Sequence, residues 1–340
     1  MRLRLAGLGL ALVSVLATAA VVQGAHAAPG VPPTTVVGSG AVAARRTGTA
    51  EPVLLARHRG SVTGDGSTVY VANRTKFRPG PGSVHLPPRL RARSWAVVDL
   101  DTGRILGRHR ARTRLPQAST MKLLTAVTAA RTVPAGTVHR VTRYEVRQTC
   151  TCAGLKRGRL YGRDTLLAGM LLPSGNDAAE AVAGSHPQGR RAFYAAMNST
   201  ARALGATDTV AKNASGLTAA GSHSSARDLV VLLRAALGYP AVAGTLVRRS
   251  ASIATVAGRF RHTVWRGTDY VNRYPDALGK SGWTTPAQNT LVVVTSIDGH
   301  RIAVATMGAP SGYSTTGARA LTLWADRNFD RLRGVGALPR

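Results

Sequence analysis

Two pairs of strand-like runs, one towards each end of the 340-residue chain, limit its fold more than any other feature. Trp95-Ala96-Val97-Val98-Asp99 and Arg104-Ile105-Leu106-Gly107 are joined by Asp101-Thr102-Gly103. Thr290-Leu291-Val292-Val293-Val294-Thr295 and Ile302-Ala303-Val304-Ala305-Thr306 flank Asp298-Gly299. Short β-branched and apolar runs on either side of such turns predict β-hairpins. Between them the spacing turns helical, over 164–172 (broken by Pro173), 177–183, 191–204 and 226–237. After the second hairpin, Leu321, Trp324, Ala325, Phe329 and Leu332 recur at helical intervals from about Thr316 to Arg333, with Gly334 as the stop. Strands at both ends and helices between them predict one α+β domain. Its antiparallel sheet would be built from N- and C-terminal pieces, with a helical insertion.

Immediately after the first hairpin comes Pro116-Gln117-Ala118-Ser119-Thr120-Met121-Lys122-Leu123-Leu124, which reads as the first turns of a buried helix ending at 132–136. Residues three apart share a helix face, so Ser119 and Lys122 can touch. A hydroxyl near a helix N-terminus gains from the dipole as negative charge develops on it. Only five of the 45 Lys+Arg residues are lysine. Arginine keeps its proton in a protein, whereas a desolvated lysine can act as a base. The pair is therefore a candidate nucleophile and base, although by itself it reads first as an ordinary polar pair on a helix.

The chain opens with Met1-Arg2-Leu3-Arg4, an apolar run from Leu5 to Val22, and Ala25-His26-Ala27. This order predicts a secretory signal peptide over 1–27 and hence an extracytoplasmic, secreted or wall-associated protein, with an uncleaved N-terminal anchor as the alternative. Residues 28–82 carry Pro32-Pro33, Arg45-Arg46 and Pro79-Gly80-Pro81-Gly82 and read as a mobile Pro/Gly/Arg-rich tail. The catalytic candidate is then 83–340. A net charge of +30 favours anionic cell-envelope polymers as partners, or simply a solvated basic surface. Aromatic content of 5% with scattered arginines offers no stacking platform, so no nucleic-acid partner is expected. Cys150 and Cys152 sit two apart, where a bridge requires local distortion, and their expected role is a local structural one. Neither they nor any histidine pattern predicts a metal site.

Two more short patterns follow the serine and lysine. Pro173-Ser174-Gly175-Asn176 occupies the break between two helices, and Leu278-Gly279-Lys280-Ser281-Gly282-Trp283-Thr284 precedes the second hairpin as an extended edge. Each of Ser-x-x-Lys, Ser-x-Asn and Lys-Ser/Thr-Gly occurs once, in this order. Together they resemble the motifs of penicillin-binding proteins and serine β-lactamases, most closely the low-molecular-mass D-alanyl-D-alanine carboxypeptidases of peptidase family S11. The segment Leu171 to Ala179, Asn213-Ala214-Ser215-Gly216-Leu217 and Ser224-Ser225-Ala226-Arg227-Asp228 extend the resemblance. It covers about Ser94 onwards. Ser281 stands where threonine is usual, and Trp283 follows the glycine.

The resemblance implies a transpeptidase-like α+β fold with a helical lobe and the following roles. Ser119 attacks the penultimate D-alanine carbonyl of a peptidoglycan stem peptide ending in D-Ala-D-Ala, forming an acyl-enzyme. Lys122 takes the proton, Lys280 keeps Lys122 neutral by like-charge repulsion, and Ser174 relays the proton to the leaving amine. Asn176 holds Lys122 and the substrate amide; Lys280, Ser281 and Gly282 bind at the substrate's C-terminal carboxylate, with Arg266, Arg273 or Arg319 assisting. The backbone N–H groups of Ser119 and Trp283 form the oxyanion hole. β-Lactams would act as covalent inhibitors, and no cofactor or metal is implied. The sequence stops within sixty residues of Lys280, so no C-terminal β-rich domain or amphipathic anchor is expected.

Three other readings stand beside this one. A serine β-lactamase of class A needs a glutamate followed by an asparagine, and none of Glu51, Glu145 and Glu180 has asparagine four residues on. A Ser-His-Asp hydrolase would draw on His109, His139, His223 or His262, but no Gly-x-Ser-x-Gly elbow is present. A non-catalytic, basic envelope-binding protein would have no need for all three motifs.

Overall fold

A computed structural model describes residues 86–87, 90–332 and 334–339. The expected signal peptide (1–27) and tail (28–82) lie outside the described residues. In chain order the elements are β1 (Ser94–Asp99), β2 (Ile105–His109), a 3-10 turn (Ala118–Met121), α1 (Lys122–Thr132), β3 (Val138–Arg140), α2 (Arg143–Val146), β4 (Leu160–Gly162), α3 (Arg163–Leu171) and α4 (Asn176–Gly184). There follow α5 (Gly189–Ala203), α6 (Ala226–Leu237), α7 (Pro240–Leu246), β5 (Ser250–Ala254), β6 (Arg261–Trp265), α8 (Asp269–Arg273), β7 (Ala277–Thr284), β8 (Gln288–Ile297), β9 (His300–Ala309), α9 (Tyr313–Arg327) and a last 3-10 turn (Phe329–Arg331).

Both expected hairpins form, and they meet. The main sheet has the order β2-β1-β9-β8-β7, antiparallel throughout. β1 from the start of the domain lies against β9 from its end, in register from Ser94 opposite Met307 to Asp99 opposite Ile302. Successive strand residues point to opposite faces, and here both faces are covered. Ala96, Val98, Val292, Val294, Ala303 and Ala305 join the core of the helical lobe. Trp95, Val97, Leu291, Val293, Ile302 and Val304 pack on the other side with Leu321, Trp324 and Ala325 of α9. Burial on both faces explains why these strands read as unbroken apolar runs instead of alternating ones. Each fully buried Val or Leu contributes about 1.5–3 kcal/mol.

Two boundaries differ from the sequence expectation. The last helix stops at Arg327 and does not reach Arg333: Asn328 leaves helical geometry and its Nδ2 donates to the Trp324 carbonyl at 2.8 Å, closing the final turn. The helix expected from about Pro116 begins instead as a 3-10 turn at Ala118, with α1 starting only at Lys122. α1 is buried from Lys122 to Ala129 and runs through the centre of the helical lobe. No single helix among the described residues is long and apolar enough to cross a membrane.

Candidate active site

Ser119 sits on a turn fixed from three directions. Ala118, just before it, has φ +48°, a left-handed conformation that a non-glycine residue adopts only when its surroundings impose it. Gly216 lies against this residue so closely that a Cβ there would come within 1.9 Å of the Ala118 carbonyl oxygen. The Gln117 carbonyl accepts the hydroxyls of Thr120 (2.6 Å) and Thr290 (3.0 Å), tying the turn to β8. A 3-10 turn has three residues per turn, so positions i and i+3 eclipse, and Ser119 lies directly over Lys122.

Lys122 Nζ is 2.8 Å from Ser119 Oγ, 2.7 Å from Asn176 Oδ1 and 2.7 Å from the Ser215 carbonyl oxygen. Its side chain is 0% exposed. Burial pushes its amine well below the ordinary lysine range, and the second cation Lys280 pushes it further. Glu180 and Asp177 pull the other way. Lys280, 2% exposed on β7, is lowered by burial to about 7, and its Nζ donates to the Ser281 carbonyl at 2.9 Å. In a chain that is mostly arginine among its cations, these two buried positions carry the side chain that can lose its proton.

The three motifs border one cleft of about 540 Å³ between the β7 edge and the helical lobe. Ser119, Ser174, Lys280, Ser281, Gly282 and Trp283 all line it. Gly282 presses on the serine turn, since a Cβ there would stand 2.5 Å from the Ser119 nitrogen. Trp283 is exposed at the rim. Asn176 is placed differently from the other motif residues. It is buried at the start of α4, its Oδ1 faces Lys122, and its Nδ2 donates to the Thr149 carbonyl at 2.6 Å. It therefore braces the amine and is not part of the cleft wall.

Of the three candidate arginines, only Arg273 lines this cleft, with its Nε donating to Asp269 at 2.9 and 3.0 Å. Arg266 is turned to Asn272 and Val271, and Arg319 lies over the Tyr274 ring. Cys150 and Cys152 are bridged in a loop stitched to the second motif, where Asn176 N–H donates to Thr151 O at 2.7 Å and Thr151 Oγ1 to Ser174 O at 2.8 Å. No histidine lines the cleft among the described residues. His262 contacts the Ala153 carbonyl and His139 contacts Glu145. No group of three or more His, Cys, Asp or Glu suited to a metal occurs among the described residues. Sequence reasoning gave no role to the Ser215 carbonyl or to the left-handed Ala118. The close-packed Gly216 was the available signal for both.

A family model described as D-alanyl-D-alanine carboxypeptidase, peptidase S11, matches residues 82–311. The D-alanyl-D-alanine carboxypeptidase DacB2 of Mycobacterium tuberculosis is 36% identical over 229 residues, covering 66% of this chain and 77% of that one. DacD of Escherichia coli is 31% identical over 281 residues, covering 77% and 69%. Among solved structures, a D-alanyl-D-alanine carboxypeptidase from M. tuberculosis superimposes with a TM-score of 0.68 at 34% identity, covering 76% of this chain and 98% of that one. The Streptomyces K15 DD-transpeptidase shares the fold, with a TM-score of 0.67 at 23% identity over 72% and 100% of the two chains. The penicillin-binding-protein fold, the ordered motifs and the family match agree: this chain is a serine hydrolase of the D-alanyl-D-alanine carboxypeptidase family, peptidase family S11.

Proposed function

We propose that the chain is a serine-type D-alanyl-D-alanine carboxypeptidase that trims the terminal D-alanine from peptidoglycan stem peptides through an acyl-enzyme on Ser119. The observation that carries this reading is the environment of Lys122 Nζ. An uncharged amine has two N–H groups and one lone pair. Asn176 Oδ1 and the Ser215 carbonyl are acceptors only, so they take both hydrogens and leave the lone pair directed at Ser119 Oγ. Burial and Lys280 favour that uncharged state.

In this mechanism the Ser119 proton passes to Lys122 as Oγ bonds to the carbonyl carbon of the penultimate D-alanine. The developing oxyanion is held by the backbone N–H groups of Ser119 and Trp283, each such donor typically supplying about 3–4 kcal/mol. Collapse breaks the peptide bond, and the proton returns through Ser174 to the departing amine. Water then hydrolyses the ester and regenerates Ser119. Lys280, Ser281 and Arg273, which line the cleft, would meet the substrate carboxylate. β-Lactams would enter the same cleft and remain bound as the acyl-enzyme.

The catalytic unit in this proposal is 83–340, preceded by an export signal over 1–27 and a connecting segment over 28–82, so the enzyme works outside the cytoplasmic membrane. Benzylpenicillin followed by intact-mass measurement tests the chemistry. A stable adduct lost in Ser119→Ala, together with D-alanine release from a model peptide by the parent only, is the expected result. Undiminished release by Ser119→Ala would refute the assignment. Rapid loss of the adduct would favour a β-lactamase.

A further inference from the structure

Lys122 has a second support, from a side chain that touches neither the serine nor the cleft. Glu180 follows Asn176 by four residues on α4 and so shares its face. It is fully buried. Its Oε1 accepts from the Ala214 backbone N–H at 3.0 Å, and Ser215, the next residue, supplies the carbonyl that receives Lys122 Nζ at 2.7 Å. Thr125 Oγ1 donates to the Ala214 carbonyl at 2.7 Å, and Asn213 Oδ1 accepts from the Gly216 N–H at 2.8 Å. Within this set of contacts to the 213–216 backbone, Glu180 is the one ionisable side chain besides Lys122 itself.

We propose that Glu180 is a positioning residue for the catalytic base: it clamps the 214–215 backbone so that the Ser215 carbonyl meets Lys122, and it brings a carboxylate to that buried contact. The inference rests on Ser119 and Lys122 acting as nucleophile and base. Around Glu180, α5 contributes Tyr194, whose hydroxyl donates to Oε2, and Arg190, whose Nε is 3.6 Å from it. Arg190 is shared with Glu145 of α2, which is also met by His139 of β3. From α3, Arg163 is turned to the Val133 carbonyl and Asp164. Besides Glu180, α1 presents Lys122 itself, β7 presents Lys280, and α4 adds Asp177. Burial raises the Glu180 carboxyl, while Tyr194, the Ala214 N–H and Arg190 hold its charged form. That charge raises Lys122, against burial and Lys280. Its loss should let Lys122 give up its proton at lower pH.

The test follows the rate at which benzylpenicillin labels Ser119 in the full-length protein from about pH 5 to 9. Glu180→Gln keeps an acceptor for the Ala214 N–H and removes the charge. The acid limb of its rate profile should move to lower pH by about half a unit or more. Glu180→Ala also removes the acceptor, and its plateau rate should fall about tenfold or more. An acid limb of Glu180→Gln that superimposes on the parent's, or an unchanged plateau in Glu180→Ala, overturns the inference. Where circular dichroism shows Glu180→Gln to be unfolded, Tyr194→Phe takes its place: it strips one donor from the carboxylate and should displace the limb, and an unmoved limb again overturns the inference. A parent that takes no label sinks the functional reading itself, and this inference with it.

Discussion

Lys122 and Lys280 are two buried amines, and no ion pair joins either to a carboxylate among the described residues. Lys280 has a consequence for stability that can be given a sign. Its amine titrates near 7 in the fold, against the ordinary lysine value of 10.5 in the unfolded chain. Between those values the unfolded state binds more protons, so stability rises with pH across this window, by at most about 1.4 kcal/mol per pH unit from this group. Below about pH 7 both states are protonated and the cost of burying the charge is paid in full. Urea melts at about pH 7.5 and 9.5 should show a gain in the parent that is smaller in Lys280→Met, where the buried Lys122 alone still contributes. Equal gains in the two proteins would mean that Lys280 titrates normally. The motif residues were legible in sequence because Ser-x-x-Lys fixes a spacing and each motif is local. The Ser215 carbonyl was not, because it meets Lys122 only after a stretch 93 residues further on folds back over α1.

At the scale of elements, the serine turn and strand β7 must touch almost atom to atom. The missing side chain at Gly282 permits this, because a Cβ would sit 2.5 Å from the Ser119 nitrogen. Gly282→Ala should push the strand away from the turn without disturbing the core on either sheet face. A displacement of about 1 Å of a reacting group costs about 100-fold in rate. Penicillin acylation should therefore fall by that order while the melting temperature moves little, and near-parent acylation would show that the contact yields freely. Elements with strong periodicity, such as 226–237 and the two hairpins, were readable before the structure. Three-residue strands β3 and β4 were not, since so short a run carries no period. Asn328 ended the last helix before the apolar spacing did, because a capping side chain outweighs a hydrophobic pattern that the following 3-10 turn continues.

For the whole molecule, the +30 charge is the property that local motifs do not explain. If it serves association with anionic wall polymers, retention on purified cell walls should fall about tenfold or more between low and about 0.5 M salt, where screening shortens to a few ångströms. Salt-independent retention would instead point to recognition through the cleft. The pairing of β1 with β9 imposes an order on assembly. Until the final quarter of the chain is in place, the first hairpin waits with one flank unmatched, and the helical lobe has no opposing wall to form a cleft with. Pairings between sequence-distant strands close slowly. A chain of this topology is therefore inert towards its substrate until its last strands are in place, and a chain stopped before β9 should acquire no penicillin label at all.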